Sequence, residues 1–336
     1  MTDPIPTDPI PADPKEAAAF FSSSYNSIKQ EISKIVVGQH EVIDQLLLSL
    51  FSRGHCVLVG VPGLAKTLLI QTLARTLNLT FSRIQFTPDL MPGDITGTEV
   101  IEDDKQTGRK SFKFIKGPIF ANIVLADEIN RTPPKTQAAL LEGMQEYNVT
   151  ASGQTFKLEE PFFVLATQNP IEQEGTYPLP EAQLDRFMYS IWLDYPGLED
   201  EKEIVRQTTS PRSVEIKSIL EKHQIMSIQK MIRDVPVPEN VLHASVKLIQ
   251  QTRPNTPESS DYIDKYLSWG AGPRASQYLI LGAKTRALSQ GRYNVELEDI
   301  KTLAVPVLRH RIVANYAAEA EGLKTEDIIR NLLSNI

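Results

Sequence analysis

The segment Gly60-Val61-Pro62-Gly63-Leu64-Ala65-Lys66-Thr67 follows the apolar run Cys56-Val57-Leu58-Val59. An apolar strand that leads into a glycine-rich turn, with Lys and Thr at the start of a helix, is typical of a phosphate-binding loop. Such a loop directs backbone N–H groups and a helix N-terminus at phosphate oxygens, while its lysine neutralises the outer phosphates. The threonine hydroxyl can then bind Mg²⁺. This stretch therefore predicts a site for a nucleoside triphosphate.

One position departs from the usual loop pattern, which has glycine directly before the lysine. This chain has Ala65 there. Alanine fits the turn only if its φ stays negative, because a Cβ disfavours the left-handed region. On the loop alone, an ordinary strand-turn-helix junction is an alternative.

A second apolar run, Ile123-Val124-Leu125-Ala126, ends in the adjacent carboxylates Asp127 and Glu128. Asp127 is a candidate Mg²⁺ ligand together with Thr67, and Glu128 is a candidate base for polarising a water molecule. Combined with the loop, this strand end predicts hydrolysis of ATP with Mg²⁺ as the second cofactor.

Composition sets limits on the function. The 336 residues allow two or three domains, and 41% hydrophobic with 23% charged residues is ordinary for a globular protein. The net charge of −7 makes nucleic acid an improbable partner. The single cysteine, Cys56, lies in an apparently buried strand, so a core thiol is expected. No apolar run reaches membrane-spanning length and no signal-peptide pattern is present, so the cytoplasm is the expected location.

The chain divides into three parts. Residues 1–14 hold five prolines, which predicts a disordered or extended tail, with a docking peptide as the alternative. Residues 15–208 start with helical patterns and then alternate strands with helices, which predicts a mostly parallel sheet covered by helices. The strand candidates are Cys56–Val59, Ser82–Phe86, Ile123–Ala126, Phe162–Ala166 and Met188–Leu193. Residues 209–336 show only helical periodicity, so this part is expected to be all-helical.

Three local predictions refine the α/β part. A helix is expected from Thr132-Pro133, with Thr132 as its cap and Pro133 in its first turn. Residues 98–116 and 147–158 both have the pattern of β-hairpins. Sequence alone leaves open whether these hairpins are functional or only surface loops.

Four further segments carry the most specific signal. They are Asp127–Lys135, Ala166-Thr167-Gln168-Asn169-Pro170, Gly175–Phe187 and Gly270-Ala271-Gly272-Pro273-Arg274-Ala275. Together with Phe86–Gly97 and Leu308–Arg311, they make the chain resemble the MoxR family of AAA+ ATPases from about Ile35 to Arg311. The resemblance implies an α/β AAA+ P-loop core with a parallel five-stranded sheet, helices on both faces and two inserted β-hairpins, followed by an all-α lid domain.

The resemblance also implies roles for individual residues. Asn169 matches the sensor-1 position, Arg186 the arginine finger that reaches a neighbouring subunit's nucleotide, and Arg274 the sensor-2 position in the lid. In that role Arg274 would follow the loss of the γ-phosphate. Val37 and Gly38 match the segment near the adenine. The implied nucleotide-binding set is Val37, Gly38, Gly60, Val61, Pro62, Gly63, Leu64, Ala65, Lys66, Thr67 and Leu68.

Each assignment has a structural alternative. Asn169 before Pro170 could only cap a strand end, and Arg186 could be the ion-pair partner of Asp185 or Glu181. A cation such as Arg274 at a helix start opposes the helix dipole and needs a reason such as a phosphate. The five histidines show no zinc-ligand spacing. The role of His310, between two arginines, stays open.

Three functions are compatible with this pattern. The favoured one is an ATP-hydrolysing MoxR-like chaperone, assembled as a ring that we expect to be hexameric, which remodels or matures a partner complex. Metal or cofactor insertion, with a von Willebrand factor A domain protein as partner, is the form that the resemblance implies. The alternatives are a nucleic-acid-associated AAA+ motor and a nucleotide-switched scaffold with little turnover. A GTPase is excluded because no Asn-Lys-x-Asp motif is present.

Overall fold

The computed structural model describes residues 10–11, 13–103, 110–171, 175–211, 214–334 and 336. The strands are β1 (Cys56–Gly60), β2 (Phe81–Gln85), β3 (Gly97–Asp103), β4 (Lys110–Lys116), β5 (Ile123–Asp127), β6 (Asn148–Ala151), β7 (Gln154–Lys157), β8 (Phe163–Gln168), β9 (Tyr189–Leu193), β10 (Leu267–Trp269) and β11 (Val313–Ala314). The helices of the core are α1 (Pro14–Ser33), α2 (His40–Phe51), α3 (Lys66–Thr76), α4 (Pro92–Thr96), α5 (Pro134–Glu146), α6 (Glu181–Leu184) and α7 (Leu198–Thr209). Those that follow are α8 (Lys222–Asp234), α9 (Glu239–Gln251), α10 (Asp261–Tyr266), α11 (Pro273–Ser289), α12 (Leu297–Leu308), α13 (Tyr316–Ala320) and α14 (Thr325–Leu333).

A five-stranded parallel sheet forms the centre of the α/β part, in the order β2-β5-β8-β1-β9. The predicted parallel sheet is therefore confirmed, and each strand boundary lies within two residues of the expected one. Because all five strands run the same way, their carboxyl ends meet at one edge of the sheet and their amino ends at the other. This polarity decides which site residues can meet.

Two apolar clusters cover the faces of the sheet. One lies between the sheet and α5 and includes Val57, Leu140 and Val164. The other joins the opposite face to α1–α3 and continues without a break into α11 and α12 of the C-terminal part. Cys56 belongs to this cluster, and burial raises the pKa of its thiol to about 12, in keeping with the predicted core thiol.

The two predicted hairpins are present as β3–β4 and β6–β7, both antiparallel. Phe114 of β4 stacks on Phe156 of β7 with ring centroids 4.2 Å apart and an interplanar angle of 10°. Phe120 meets both rings edge-on. The hairpins are therefore joined through one aromatic cluster, which the sequence did not indicate.

Two local predictions need correction. Helix α5 begins at Pro134 with Pro133 as its cap, because Thr132 precedes a proline and is held extended at φ −109° and ψ 154°. Pro14, assigned to the tail, is the first residue of α1, whose cap Asp13 accepts hydrogen bonds from Lys15 N and Glu16 N. Most of the predicted tail, residues 1–9 and 12, lies outside the described residues.

The C-terminal part is a helical lid, as predicted, with one addition. Strands β10 and β11 pair as a short antiparallel ribbon. They span three and two residues, too short to leave a periodic pattern in the sequence. Among the described residues, no helix has both the length and the apolar character that crossing a bilayer requires.

Candidate nucleotide site

The loop after β1 has the geometry of a phosphate cradle. Helix α3 begins at Lys66, and no side chain caps its first turn, so its backbone N–H groups remain directed out of the helix. Gly63 and Ala65 both have positive φ, 86° and 54°. The expectation of a negative φ at Ala65 is therefore wrong: the chain must enter α3 through a left-handed residue, at a cost of roughly 1–2 kcal/mol for alanine. The Lys66 Nζ donates to the Gly60 carbonyl oxygen.

The two carboxylates at the end of β5 are held by residues of neighbouring strands. Asp127 accepts hydrogen bonds from Arg83 Nη2 at 2.6 Å and from Thr167 Oγ1 at 2.6 Å. Glu128, at φ 58°, accepts from Gln85 Nε2 at 2.7 Å and lies 3.2 Å from Arg131 Nε. Its backbone N–H donates to the same Thr167 hydroxyl at 2.8 Å.

Sequence reasoning missed Arg83 and Gln85. They are alternate residues of β2, so their side chains share one face of the sheet, and β2 pairs with β5. The available signal was two polar residues, two positions apart, on the strand that lies beside β5. It could not be used without the strand order, which the sequence does not reveal.

Asn169 lies directly after β8, between the strands that carry the loop and the acidic pair. Its side chain is buried, and its Oδ1 accepts a hydrogen bond from Ile171 N at 3.2 Å. The residue therefore makes the turn that the structural alternative expected. Its place after β8, between β1 and β5, is compatible with the sensor-1 role, which stays a prediction.

Val37 and Gly38 lie between α1 and α2 at the same edge of the sheet. Gly38 has φ 70°, and a Cβ there would come within 2.7 Å of Asp200 Oδ2 in α7. Gln39 donates from Nε2 to the Asp194 carbonyl oxygen just past β9. This segment, the loop, the acidic pair and Asn169 thus surround one edge of the sheet.

Arg186 and Arg274 lie at the opposite edge. Arg186 precedes β9, and the register of β1 with β9 pairs Cys56 with Tyr189 and Gly60 with Leu193. A five-residue strand spans about 17 Å, which separates Arg186 from the phosphate loop of its own chain. Arg186 lines a cavity of about 360 Å³ with Arg53, Arg274 and Tyr278.

The ion pairs at this edge differ from the predicted alternative. Arg186 Nη1 donates to the Leu141 carbonyl oxygen at 3.1 Å. Asp185 pairs instead with Arg274 at 2.7 Å and with Arg311 at 2.8 Å. Arg274 therefore lies beside the predicted finger, and its sensor-2 role stays a prediction.

Comparisons with known proteins agree with this architecture. Residues 55–189 match the ATPase family associated with various cellular activities (AAA), and residues 260–332 match the AAA lid domain. The chain is 42% identical to Chaperone MoxR1 of Mycobacterium tuberculosis, over 91% of this chain and 80% of that protein. It is 38% identical to the Bacillus subtilis protein YeaC, over 91% of this chain and 92% of that protein.

A solved structure extends the agreement to three dimensions. The crystal structure of a candidate ATPase from Cytophaga hutchinsonii superposes with a TM-score of 0.88 at 43% identity, covering 95% of this chain and 96% of that one. These similarities agree with the architecture of the chain, which has an α/β core with a phosphate loop, two inserted hairpins and a helical lid. The chain belongs to the MoxR family of AAA+ ATPases.

Proposed function

We propose that this protein is an ATP-hydrolysing chaperone that works as a ring, with each ATP bound by one subunit and completed by an arginine of the next. The observation that carries the proposal is the position of Arg186, at the sheet edge opposite the phosphate loop of its own chain. An arginine so placed cannot reach its own nucleotide, whereas a second copy can bring it to a neighbour's. A hexamer is the ring size that we propose.

The chemistry follows from the residues at the nucleotide edge. The loop amides and Lys66 bind the phosphates, with Val37 and Gly38 beside the base. The Thr67 hydroxyl and the Asp127 carboxylate are hard oxygen ligands that suit Mg²⁺, which usually takes one or two protein ligands besides phosphate oxygens. The metal would neutralise charge on the phosphates. Glu128 then orients and polarises the attacking water, and Asn169 positions it.

Remodelling of a protein partner is the finer part of the proposal. One relative is a chaperone by its name. The β3–β4 hairpin exposes apolar side chains that a folded monomer would ordinarily cover: Ile101 and Phe112, which face each other across the hairpin, are 59% and 74% exposed. Maturation by metal or cofactor insertion, with a von Willebrand factor A domain protein as partner and in the cytoplasm, is the form we propose. The net charge of −7 disfavours the nucleic-acid motor.

Turnover is tested by replacing Glu128. Glu128→Gln is expected to keep ATP affinity, because the amide holds the same place, and to lose hydrolysis, because it polarises water poorly. Steady-state phosphate release and equilibrium titration with a fluorescent ATP analogue measure the two quantities. Hydrolysis within a few-fold of the parent would mean that the base is elsewhere. Parental turnover so slow that Glu128→Gln changes nothing would favour the nucleotide-switched scaffold.

The composite site is tested by mixing subunits. Lys66→Ala removes nucleotide binding and leaves the finger, while Arg186→Ala removes the finger and leaves the phosphate loop. Each is expected to be inactive alone, and the mixture to regain hydrolysis at interfaces where an intact loop meets an intact finger. An arginine finger is worth on the order of 10³-fold or more in comparable phosphoryl transfers. A co-assembled mixture no more active than its parts would overturn the composite site.

A further inference from the structure

The four residues that carry the proposed finger are bound to the lid through their backbone. Each carbonyl oxygen from Asp185 to Met188 accepts a hydrogen bond from a lid side chain. Arg311 Nη2 donates to Asp185 O at 2.9 Å and to Phe187 O at 2.6 Å, and its Nη1 donates to Met188 O at 3.2 Å. Tyr278 supplies the remaining bond, from its hydroxyl to Arg186 O at 3.1 Å.

The Arg311 side chain is held in this position by burial and by its hydrogen bonds. Its side chain is 1% exposed, its Nε pairs with Asp185 Oδ1 at 2.8 Å, and Nη1 also donates to the Val307 carbonyl oxygen at the end of α12. The guanidinium lies over the Tyr278 ring, 5.2 Å from its centroid. A buried charge is costly unless it is paired and its N–H groups are all used, which is the situation here. A lysine could not replace this planar fork of donors.

His310 adds a fifth contact to these carbonyl oxygens. Burial lowers the pKa of His310 well below its ordinary value, so the ring is neutral. Its Nε2 lies 3.0 Å from Phe187 O, and since a carbonyl oxygen only accepts, Nε2 carries the proton and donates. The segment is therefore attached to the lid by five hydrogen bonds, of which the two from Arg311 to Phe187 O and Met188 O are buried and the other three half-buried.

On this basis we propose that Arg311 is a positioning residue: it fixes the Arg186 segment to the lid, so that the lid position of one subunit sets hydrolysis in its neighbour. This inference rests on the proposed role of Arg186 as the finger. Helix α7, the last helix of the core, lies beside Gly38 at the nucleotide edge through Asp200, and the lid that follows it in the chain holds the finger at the opposite edge. The position of the lid in one subunit thereby sets the place of the finger at the next subunit's nucleotide.

The test uses mixed assemblies in which one variant supplies the phosphate loop of an interface and the other variant supplies the finger. Arg186→Ala subunits report hydrolysis, since their phosphate loop is intact and the finger must come from elsewhere. Lys66→Ala subunits donate the finger. Adding Arg311→Lys to the donor is expected to lower the restored kcat about tenfold to a hundredfold, because a displacement of about 1 Å can cost on the order of 10²-fold. The KM for ATP should stay unchanged, since the reporter binds the nucleotide.

Two controls separate positioning from general damage. Arg286→Lys in the donor changes a lid arginine that pairs with the buried Asp299, a carboxylate that Arg292 also holds, and it should restore full activity. Arg311→Lys placed in the reporter should have little effect, because the reporter's own finger is already absent. A merely structural role of Arg311 would lower activity in both arrangements.

The outcomes are distinguishable. If the Lys66→Ala donor fails to restore hydrolysis, the proposed function is wrong. If it restores hydrolysis and the Arg311→Lys donor does so equally well, only the positioning role is overturned. Tyr278→Phe in the donor, which removes the single bond to Arg186 O, is expected to give a drop of a few-fold. If Arg311→Lys fails to fold or to co-assemble, the Tyr278→Phe donor takes its place as the test. A Tyr278→Phe donor that restores hydrolysis fully would then overturn the proposal.

Discussion

At the residue scale, the nucleotide edge holds three side-chain-bearing residues in the left-handed backbone region. Gln39, Ala65 and Glu128 have φ values of 48°, 54° and 58°. Each such residue costs on the order of 1–3 kcal/mol, and such residues cluster at functional sites. In this chain they precede α2, precede α3 and follow β5, the three places where the backbone turns at the proposed nucleotide site.

Ala65→Gly tests whether this strain is real. Relief of the left-handed alanine, about 1–2 kcal/mol, exceeds the unfolded-state entropy that glycine adds, about 0.4–1 kcal/mol. The variant is therefore expected to be more stable by roughly 0.5–1 kcal/mol, measured from urea unfolding. Ala19→Gly is the matched control: Ala19 is exposed inside α1, and the same exchange there should cost about 1 kcal/mol. A destabilised Ala65→Gly would show that the alanine methyl makes a contact worth more than the strain.

At the element scale, prediction from sequence succeeded where one periodic segment determines the answer. The strand β1, the loop and the start of α3 follow from local chemistry, and so do both hairpins. It failed where two segments meet. Arg83 holds Asp127 only because β2 lies beside β5, and Asp185 binds Arg274 and Arg311 only because the lid folds back onto the start of β9. Such contacts depend on strand order and lid placement, which no single segment encodes.

His55 shows how such a junction makes stability depend on pH. It precedes β1, its Nδ1 accepts from Val164 N of β8 at 3.1 Å, and its Nε2 donates to Met144 O of α5 at 3.1 Å. Burial lowers its pKa from 6.5 to about 4. In the unfolded chain the His55 imidazole is therefore protonated below pH 6.5, whereas in the folded protein it is protonated only below about pH 4. Stability is full above pH 6.5 and is lost as the pH falls towards 4.

The expected size of this effect is about 2 kcal/mol of unfolding free energy lost between about pH 7.5 and about pH 5, at ~1.4 kcal/mol per pH unit for one proton. His55→Gln keeps a donor and an acceptor but does not titrate. Urea unfolding of both proteins at the two pH values should show a shallower pH dependence for the variant. Equal slopes would mean that His55 is already protonated or hydrated in the folded state.

At the scale of the whole molecule, the parallel sheet separates the protein into two chemically different edges. The nucleotide edge carries the loop amides, two carboxylates and an asparagine, whereas the opposite edge carries Arg53, Arg186 and Arg274 around one cavity. An anion bound at the first edge and a cationic cavity at the second are complementary between two copies of the chain. Head-to-tail contacts of this kind close into a ring when the rotation between subunits permits it.

Arg274 provides the sharpest test of this arrangement. Its guanidinium is held by Asp185, next to the finger residue, so we expect it to act on the neighbour's nucleotide and not on its own. Arg274→Ala subunits should lose most of their hydrolysis while retaining ATP affinity. Lys66→Ala subunits, which keep Arg274, should restore activity to them by about tenfold or more, since phosphoryl transfer depends strongly on a correctly placed arginine. Arg292→Lys, in a lid arginine bound to the buried Asp299 away from this edge, is the control that should need no rescue.

If Lys66→Ala subunits co-assemble with Arg274→Ala subunits and restore nothing, although they do restore Arg186→Ala, then Arg274 works within its own chain. In that case the lid must swing far enough on nucleotide binding to carry it from one edge of the sheet to the other.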